Sequence, residues 1–266
     1  KLLTVPIIFE HREPRLEGLV TVRTSGRGLG RIFIYKQDRT SNPGHSAVAR
    51  ITSGMDMIKL AGQGQLITVE VLPKRIMLMG SSLKDALKEM QEREIEAEVE
   101  GYEGVDAVVV KQEPGETMSI LKHKKVRIFS IPASRLVSVQ LYDDLAPKTL
   151  DYFRHVTGLK ERPVGPLPVY FVYENTLLFK PEIEAVNLKD LLPENKPTGP
   201  VPAGSIAVSN QVSKKIGLVG MKLVDDKRYG PSGEKFEATN VIGRVLDPEK
   251  LKDVSEGETI YIKEVR

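Results

Sequence analysis

Between Val137 and Val156 the hydrophobic period switches from about two residues to about 3.6 within one short turn, and this constrains the fold more than any other stretch. Val137, Val139 and Leu141 alternate with polar neighbours, the pattern of a half-buried strand. Asp143-Asp144 makes an acidic turn. Asp144 is expected to cap a helix starting near Pro147, where a missing N–H costs nothing. Leu150, Phe153 and Thr157 then share one helical face, and Gly158 ends the helix.

The chain has 266 residues, enough for two domains with a small third between them. Its 39 basic and 36 acidic residues nearly cancel at +3, so charge gives no reason to expect a nucleic-acid partner. No apolar run reaches the roughly 18 residues of a membrane span. The absence of cysteine excludes disulfides and cysteine-held metal centres within this sequence, and fits a reducing cytoplasm. Lys1-Leu-Leu-Thr-Val5 has neither an initiator methionine nor a signal-peptide layout and already reads as a strand. It is taken as the start of a piece of a longer protein.

The patterning divides the chain into three blocks. Residues 1–73 read as mostly β, with strands expected at 2–9, 19–23, 31–35, 47–51 and 66–72, glycine-rich turns between them and a short helical turn at 55–60. Residues 74–124 form a small α/β block. Ser82-Leu-Lys-Asp85 resembles a capping box, and Leu83, Ala86, Leu87 and Met90 make an amphipathic stripe. Strands are expected there at 95–100 and 107–111, and the whole loosely resembles a PASTA-type βαββ unit. In residues 125–266 the strands 125–132 and 136–141 are expected to pair. The helix 146–157 comes next, then six short strands with a proline-rich connector from Pro193 to Pro202. Many short strands and few helices point to a closed barrel.

Leu141-Tyr-Asp-Asp-Leu-Ala-Pro-Lys-Thr149 with Phe153 resembles the opening strand and first helix of a cyclophilin. Asn240-Val-Ile-Gly-Arg-Val-Leu-Asp247 and Ala47-Val-Ala-Arg-Ile-Thr-Ser-Gly-Met-Asp56 both resemble a late cyclophilin segment, and Arg31-Ile-Phe-Ile-Tyr35 resembles the core strand before it. The resemblance therefore implies a mainly β fold with some α: two cyclophilin-like β-barrels flanking a small α/β insert. The first, 1–73, would be the C-terminal half of a barrel whose N-terminal half is missing. The insert is 74–124, and 125–266 is a complete, degenerate barrel.

The same resemblance places a pocket phenylalanine at Phe33 and a pocket histidine at His45. The plainer alternative makes Phe33 a core residue and His45 a turn cap after Asn42-Pro43. Cyclophilins lower the roughly 18–20 kcal/mol barrier to prolyl rotation with an arginine aimed at the proline nitrogen. The corresponding stretch of the third block, 169–179, contains no arginine. No catalytic, metal or cofactor-binding residue is assigned. The four histidines lack metal spacing, and Gly26-Arg-Gly-Leu-Gly30 precedes a strand where a phosphate loop would open a helix.

Phe9-Glu-His-Arg-Glu-Pro14, Leu16-Glu-Gly-Leu-Val-Thr-Val-Arg23, Leu191-Leu-Pro-Glu-Asn195 and Tyr229-Gly-Pro-Ser-Gly-Glu-Lys-Phe236 resemble the methanogenesis marker protein 3 family of archaea. That resemblance implies a cytoplasmic, noncatalytic scaffold without cofactors. Its partners would be methyl-coenzyme M reductase and the ATP-dependent complex that assembles or activates it. Two alternatives stand beside it: a prolyl isomerase whose catalytic residues lie outside these 266, and a barrel that binds a small ligand.

Overall fold

The computed structural model describes residues 7–40, 42–181 and 188–265. The chain divides into two compact units, Lys1–Leu72 and Pro73–Arg266. Of the first expected strand, residues 2–6 lie outside the described residues and 7–9 are not in a strand.

The first unit is a three-stranded antiparallel sheet of β1 (Leu19–Arg23), β2 (Ile32–Ile34) and β3 (His45–Arg50), with β1 in the centre. A short helix α1 (Met55–Leu60) comes after it. Residues 66–72 do not form the expected strand, although Leu66, Thr68 and Glu70 alternate with Ile67, Val69 and Val71. A strand needs a neighbour to take up its backbone N–H and C=O groups, and among the described residues none is there.

The second unit opens with a small sheet. Helix α2 (Leu83–Glu92) starts as its sequence requires: the Ser82 hydroxyl accepts from the Asp85 N–H at 3.1 Å, and Leu83, Ala86 and Met90 are buried. Leu87 turns outward. Strands β4 (Glu96–Gly101) and β5 (Ala107–Glu113) flank β6 (Lys125–Pro132), which runs parallel to β4 and antiparallel to β5. Helix α3 (Thr117–His123) joins β5 to β6.

After a 3-10 turn at Ala133–Arg135 come β7 (Leu136–Leu141), α4 (Pro147–Val156), β8 (Gly165–Tyr173), β9 (Thr176–Phe179), β10 (Ser205–Ser209), β11 (Val219–Lys222), β12 (Thr239–Val245) and β13 (Thr259–Glu264). These strands close into a seven-stranded barrel in the order β10-β11-β9-β8-β13-β7-β12. β7 and β13 are its parallel pair. The expected pairing of 125–132 with 136–141 is therefore corrected: β6 is the middle of the small sheet, while β7 lies between β12 and β13. The fold is mainly β, with one closed barrel, partial sheets and a few helices.

Barrel residues alternate inward and outward. Val139, Leu167, Phe179, Ile206, Val208, Val219, Met221, Ile242 and Ile262 fill one core, joined by Leu150, Phe153 and Val156 of α4. Each such side chain contributes about 1.5–3 kcal/mol on burial. Asp144 does not cap α4. The Glu194 carboxylate does so from another segment, accepting from the N–H groups of Lys148 and Thr149 at 3.0 and 2.7 Å and from the Thr149 hydroxyl at 2.6 Å.

The three strands of the first unit repeat three strands of the barrel residue for residue. Val20 pairs with Ile34 and Ala49 as Ile206 pairs with Met221 and Gly243, and in both sheets the register shifts immediately after. Gly18 and Gly204 precede the central strand at φ +80° and +81°, a left-handed backbone that favours glycine. Each donates its N–H to the neighbouring strand (to the Tyr35 and Lys222 carbonyls) and accepts from the other side (Ile51 and Val245). Beyond the strands, Arg39 bridges Arg15 as Asp226 bridges Val201.

Candidate functional site

Phe33 lies in β2 and Tyr35 follows its end in extended backbone, its N–H donating to the Leu19 carbonyl, so the two rings stand on the same face as Thr21, the register partner of Phe33. β3 brings in His45. The imidazole meets the Phe33 ring edge-on with centroids 4.8 Å apart, and its Nδ1 lies 3.1 Å from Thr21 Oγ1 and 3.3 Å from Tyr35 Oη. Tyr35 Oη accepts from Arg15 Nη1 at 3.2 Å and from Thr21 Oγ1 at 3.4 Å. The Arg15 guanidinium also lies over the Tyr35 ring, 5.3 Å from its centroid, and reaches the Thr40 carbonyl; its Nε is buried without a partner.

His45 is buried, and its pKa is pushed below the ordinary imidazole value, first by desolvation and then by the charges of Arg15 and Arg23. Burial thus favours the neutral imidazole, which stands beside an aromatic wall with Nδ1 in hydrogen-bond reach of the Thr21 and Tyr35 hydroxyls. An open cavity of about 450 Å³ adjoins the cluster, lined by Phe33, Ile34, Tyr35, Lys36, Gln37 and Arg39. The two residues singled out in the sequence stand together. Thr21, Tyr35 and Arg15 were not foreseen; the spacing of Phe33 and Tyr35 on an alternating strand was the available signal.

The repeat supplies a direct comparison. In the closed barrel the position of Phe33 is Gly220, that of Tyr35 is Lys222, that of Thr21 is Ala207 and that of His45 is Thr239. Eleven residues separate Asp226 from Ala238, against four between the matching Arg39 and Gly44. The longer loop folds back over the site. A Cβ at Gly220 would lie 2.1 Å from the Pro231 carbonyl oxygen and 2.5 Å from Ser232 Cα, and Ser232 Oγ donates to Thr239 Oγ1 at 2.8 Å. Lys222 is buried and paired with Asp226 at 2.7 Å, with a further bond to Thr176 Oγ1 at 2.9 Å. Asp226 also accepts from the N–H groups of Arg228 and Tyr229, so it fixes the start of that loop; Lys222 above all lowers its pKa to about 2. One face is an open aromatic cluster; its counterpart is filled by the protein's own backbone.

Among the described residues no group of three acidic or histidine side chains is placed to hold a metal ion. None of their helices is long and apolar enough to cross a membrane.

Residues 137–265, the barrel, match a family model described as "Putative peptidyl-prolyl cis-trans isomerase domain". Over 99% of its length the chain is 45% identical to a UPF0288 protein of Methanosarcina mazei, and it covers 50% of that protein. It is 40% identical over 96% of its length to a UPF0288 protein of Methanothermobacter thermautotrophicus, covering 49% of it. A third, from Methanopyrus kandleri, is 39% identical over 97% of this chain and is covered to 50%. The homologues are thus UPF0288 proteins of methanogenic archaea, and the chain spans about half the length of the curated relatives it matches. The solved structure of a conserved Enterococcus faecalis protein of unknown function shares 15% identity and a TM-score of 0.31 over 50% of this chain and 34% of that one, too slight a likeness to bear on the fold.

Proposed function

We propose that this chain is part of a noncatalytic, cyclophilin-like scaffold protein of methane-forming metabolism, of the methanogenesis marker protein 3 kind. Its partners are methyl-coenzyme M reductase or the ATP-dependent proteins that assemble and activate it in the cytoplasm. The noncatalytic reading is carried by Gly220: where a pocket phenylalanine would stand, the backbone of Pro231 and Ser232 occupies the space. A proline ring has no room to enter there, and 169–179 offers no arginine to polarise it. The methanogenic setting is supported by the organisms of the relatives.

A second reading has its own support. The open cluster of Phe33 and His45 beside a cavity favours a prolyl isomerase site in the first unit, formed only in the longer protein. Two measurements separate these readings. A tagged full-length protein purified from anaerobic methanogen cytosol should carry the reductase or its activation factors at fixed stoichiometry, and show no acceleration of prolyl rotation in a standard peptide assay. Isolation alone, across gentle salt conditions, overturns the scaffold reading. Isomerase activity abolished by Phe33→Ala puts the second reading in its place.

A further inference from the structure

The match between the two sheets shows what the first one lacks. In the barrel, β11 has β9 on its outer edge and β12 has β7 on its outer edge. Among the described residues no strand pairs with the matching edges of β2 and β3; the Ala47 N–H of β3 donates to the His11 carbonyl at 2.9 Å, ahead of the 49–51 stretch that matches the β7-paired 243–245. The inward-facing positions agree with this. Val219 and Ile242 are 0% exposed in the barrel core, while their counterparts Ile32 and Val48 are apolar yet 70% and 56% exposed. These side chains are patterned for a core that the unit does not have.

Residues 66–72 complete the correspondence. Gly64 and Gly257 have φ of +85° and +83°, each two residues before the stretch in question. On that alignment Ile67 and Val69 match Ile260 and Ile262, which are buried in β13, whereas Ile67 and Val69 are exposed. β13 is held between β7 and β8. Counterparts of those two strands are what 66–72 would need in order to become a strand.

From this we infer that residues 18–72 are one half of a second barrel, completed by a strand–helix–hairpin segment of the same polypeptide. That segment would lie in the half of the longer relatives that this chain does not span. Its order is that of the second unit, where β7, α4, β8 and β9 come before β10. One incoming strand runs antiparallel to β3 and parallel to 66–72. A second runs antiparallel to 66–72. A third runs antiparallel to β2 and closes the ring. The inference holds for either reading of function, because it concerns how the barrel is built.

Hydrogen exchange on the full-length polypeptide and on the 266-residue chain tests it. Amides within 32–35, 49–51 and 66–72 should exchange roughly a hundredfold more slowly in the full-length protein. Val48→Asp should lower the melting temperature of the full-length protein by about 4 °C or more and leave the 266-residue chain unchanged. Equal exchange in the two proteins overturns the inference. So does protection that rises with concentration in the 266-residue chain, which would make a second copy the occupant.

Discussion

Phe33 and Gly220 hold the same place in two copies of one strand pairing, Phe33 opposite Thr21 and Gly220 opposite Ala207. A ring at one position and a hydrogen at the other give the two faces different volumes to fill. The ring forms a wall against which His45 stands, while the bare Cα lets a longer loop lay its backbone onto the sheet. Each change supports the other, since the loop could not approach a side chain and the glycine would leave a void without the loop.

Gly220→Ala therefore does not restore a pocket. The added Cβ meets carbonyl and Cα atoms of Pro231 and Ser232, which cannot swing aside as a flexible side chain would. The expected result is a loss of about 1–3 kcal/mol in denaturant unfolding of the second unit, without any gain in prolyl isomerase activity. A neutral Gly220→Ala would mean that the loop is not seated on the strand.

The His45 imidazole titrates near 6.5 when the chain is unfolded and lower when it is folded. The unfolded state therefore binds the extra proton first. The stabilising contribution of neutral His45 is complete above about pH 6.5 and is lost as the pH falls from there through the folded-state value. Exchange of the β3 amides, measured from pH 7.5 down to 5.5 and corrected for intrinsic rates, should report increasing local opening. His45→Gln should flatten that dependence. A variant that keeps the slope would transfer it to another histidine.

Asp226 gives the opposite end of the pH scale. Its carboxyl falls from 3.8 to about 2 on folding, mostly through Lys222. A depressed acid contributes stability that is present above the unfolded value and lost as pH drops through the folded one. Acid unfolding of the barrel followed between pH 4 and 2 should thus be less steep in Asp226→Asn. The same variant weakens the acceptor for the Arg228 and Tyr229 amides, so proteolytic cleavage within 227–237 should become faster.

The strand and helix of 137–158 were legible because both periods are local, and so were the Ser82 cap and the arginines at 50 and 244, which hold matching register positions in β3 and β12. What could not be read was set by distant partners. Residues 125–132 have a strand pattern, but nothing in that pattern says whether the neighbour is β7 or the pair β4 and β5. Residues 66–72 have one too, and form no strand. In the candidate site, Phe33 and His45 were found through resemblance, while Arg15 reaches Tyr35 across 20 positions and leaves no trace in local spacing.

The cap of α4 shows the same limit and can be tested directly. Local sequence favours Asp144, yet the helix begins at Pro147 and its free N–H groups at Lys148 and Thr149 are met by Glu194. The carboxylate also accepts from the Thr149 hydroxyl, and that hydroxyl oxygen in turn accepts from Asn240 Nδ2 at 2.8 Å, tying the 191–195 segment to β12. A negative charge here is further favoured by the helix dipole. Glu194→Ala should cost about 1–2 kcal/mol, the scale of a lost N-cap. Glu194→Gln should fall between, since one acceptor oxygen remains while its amide opposes an N–H donor. Asp144→Ala should be close to neutral. Chemical denaturation of the three variants orders them, and a larger loss for Asp144→Ala than for Glu194→Ala would return the cap to the local residue.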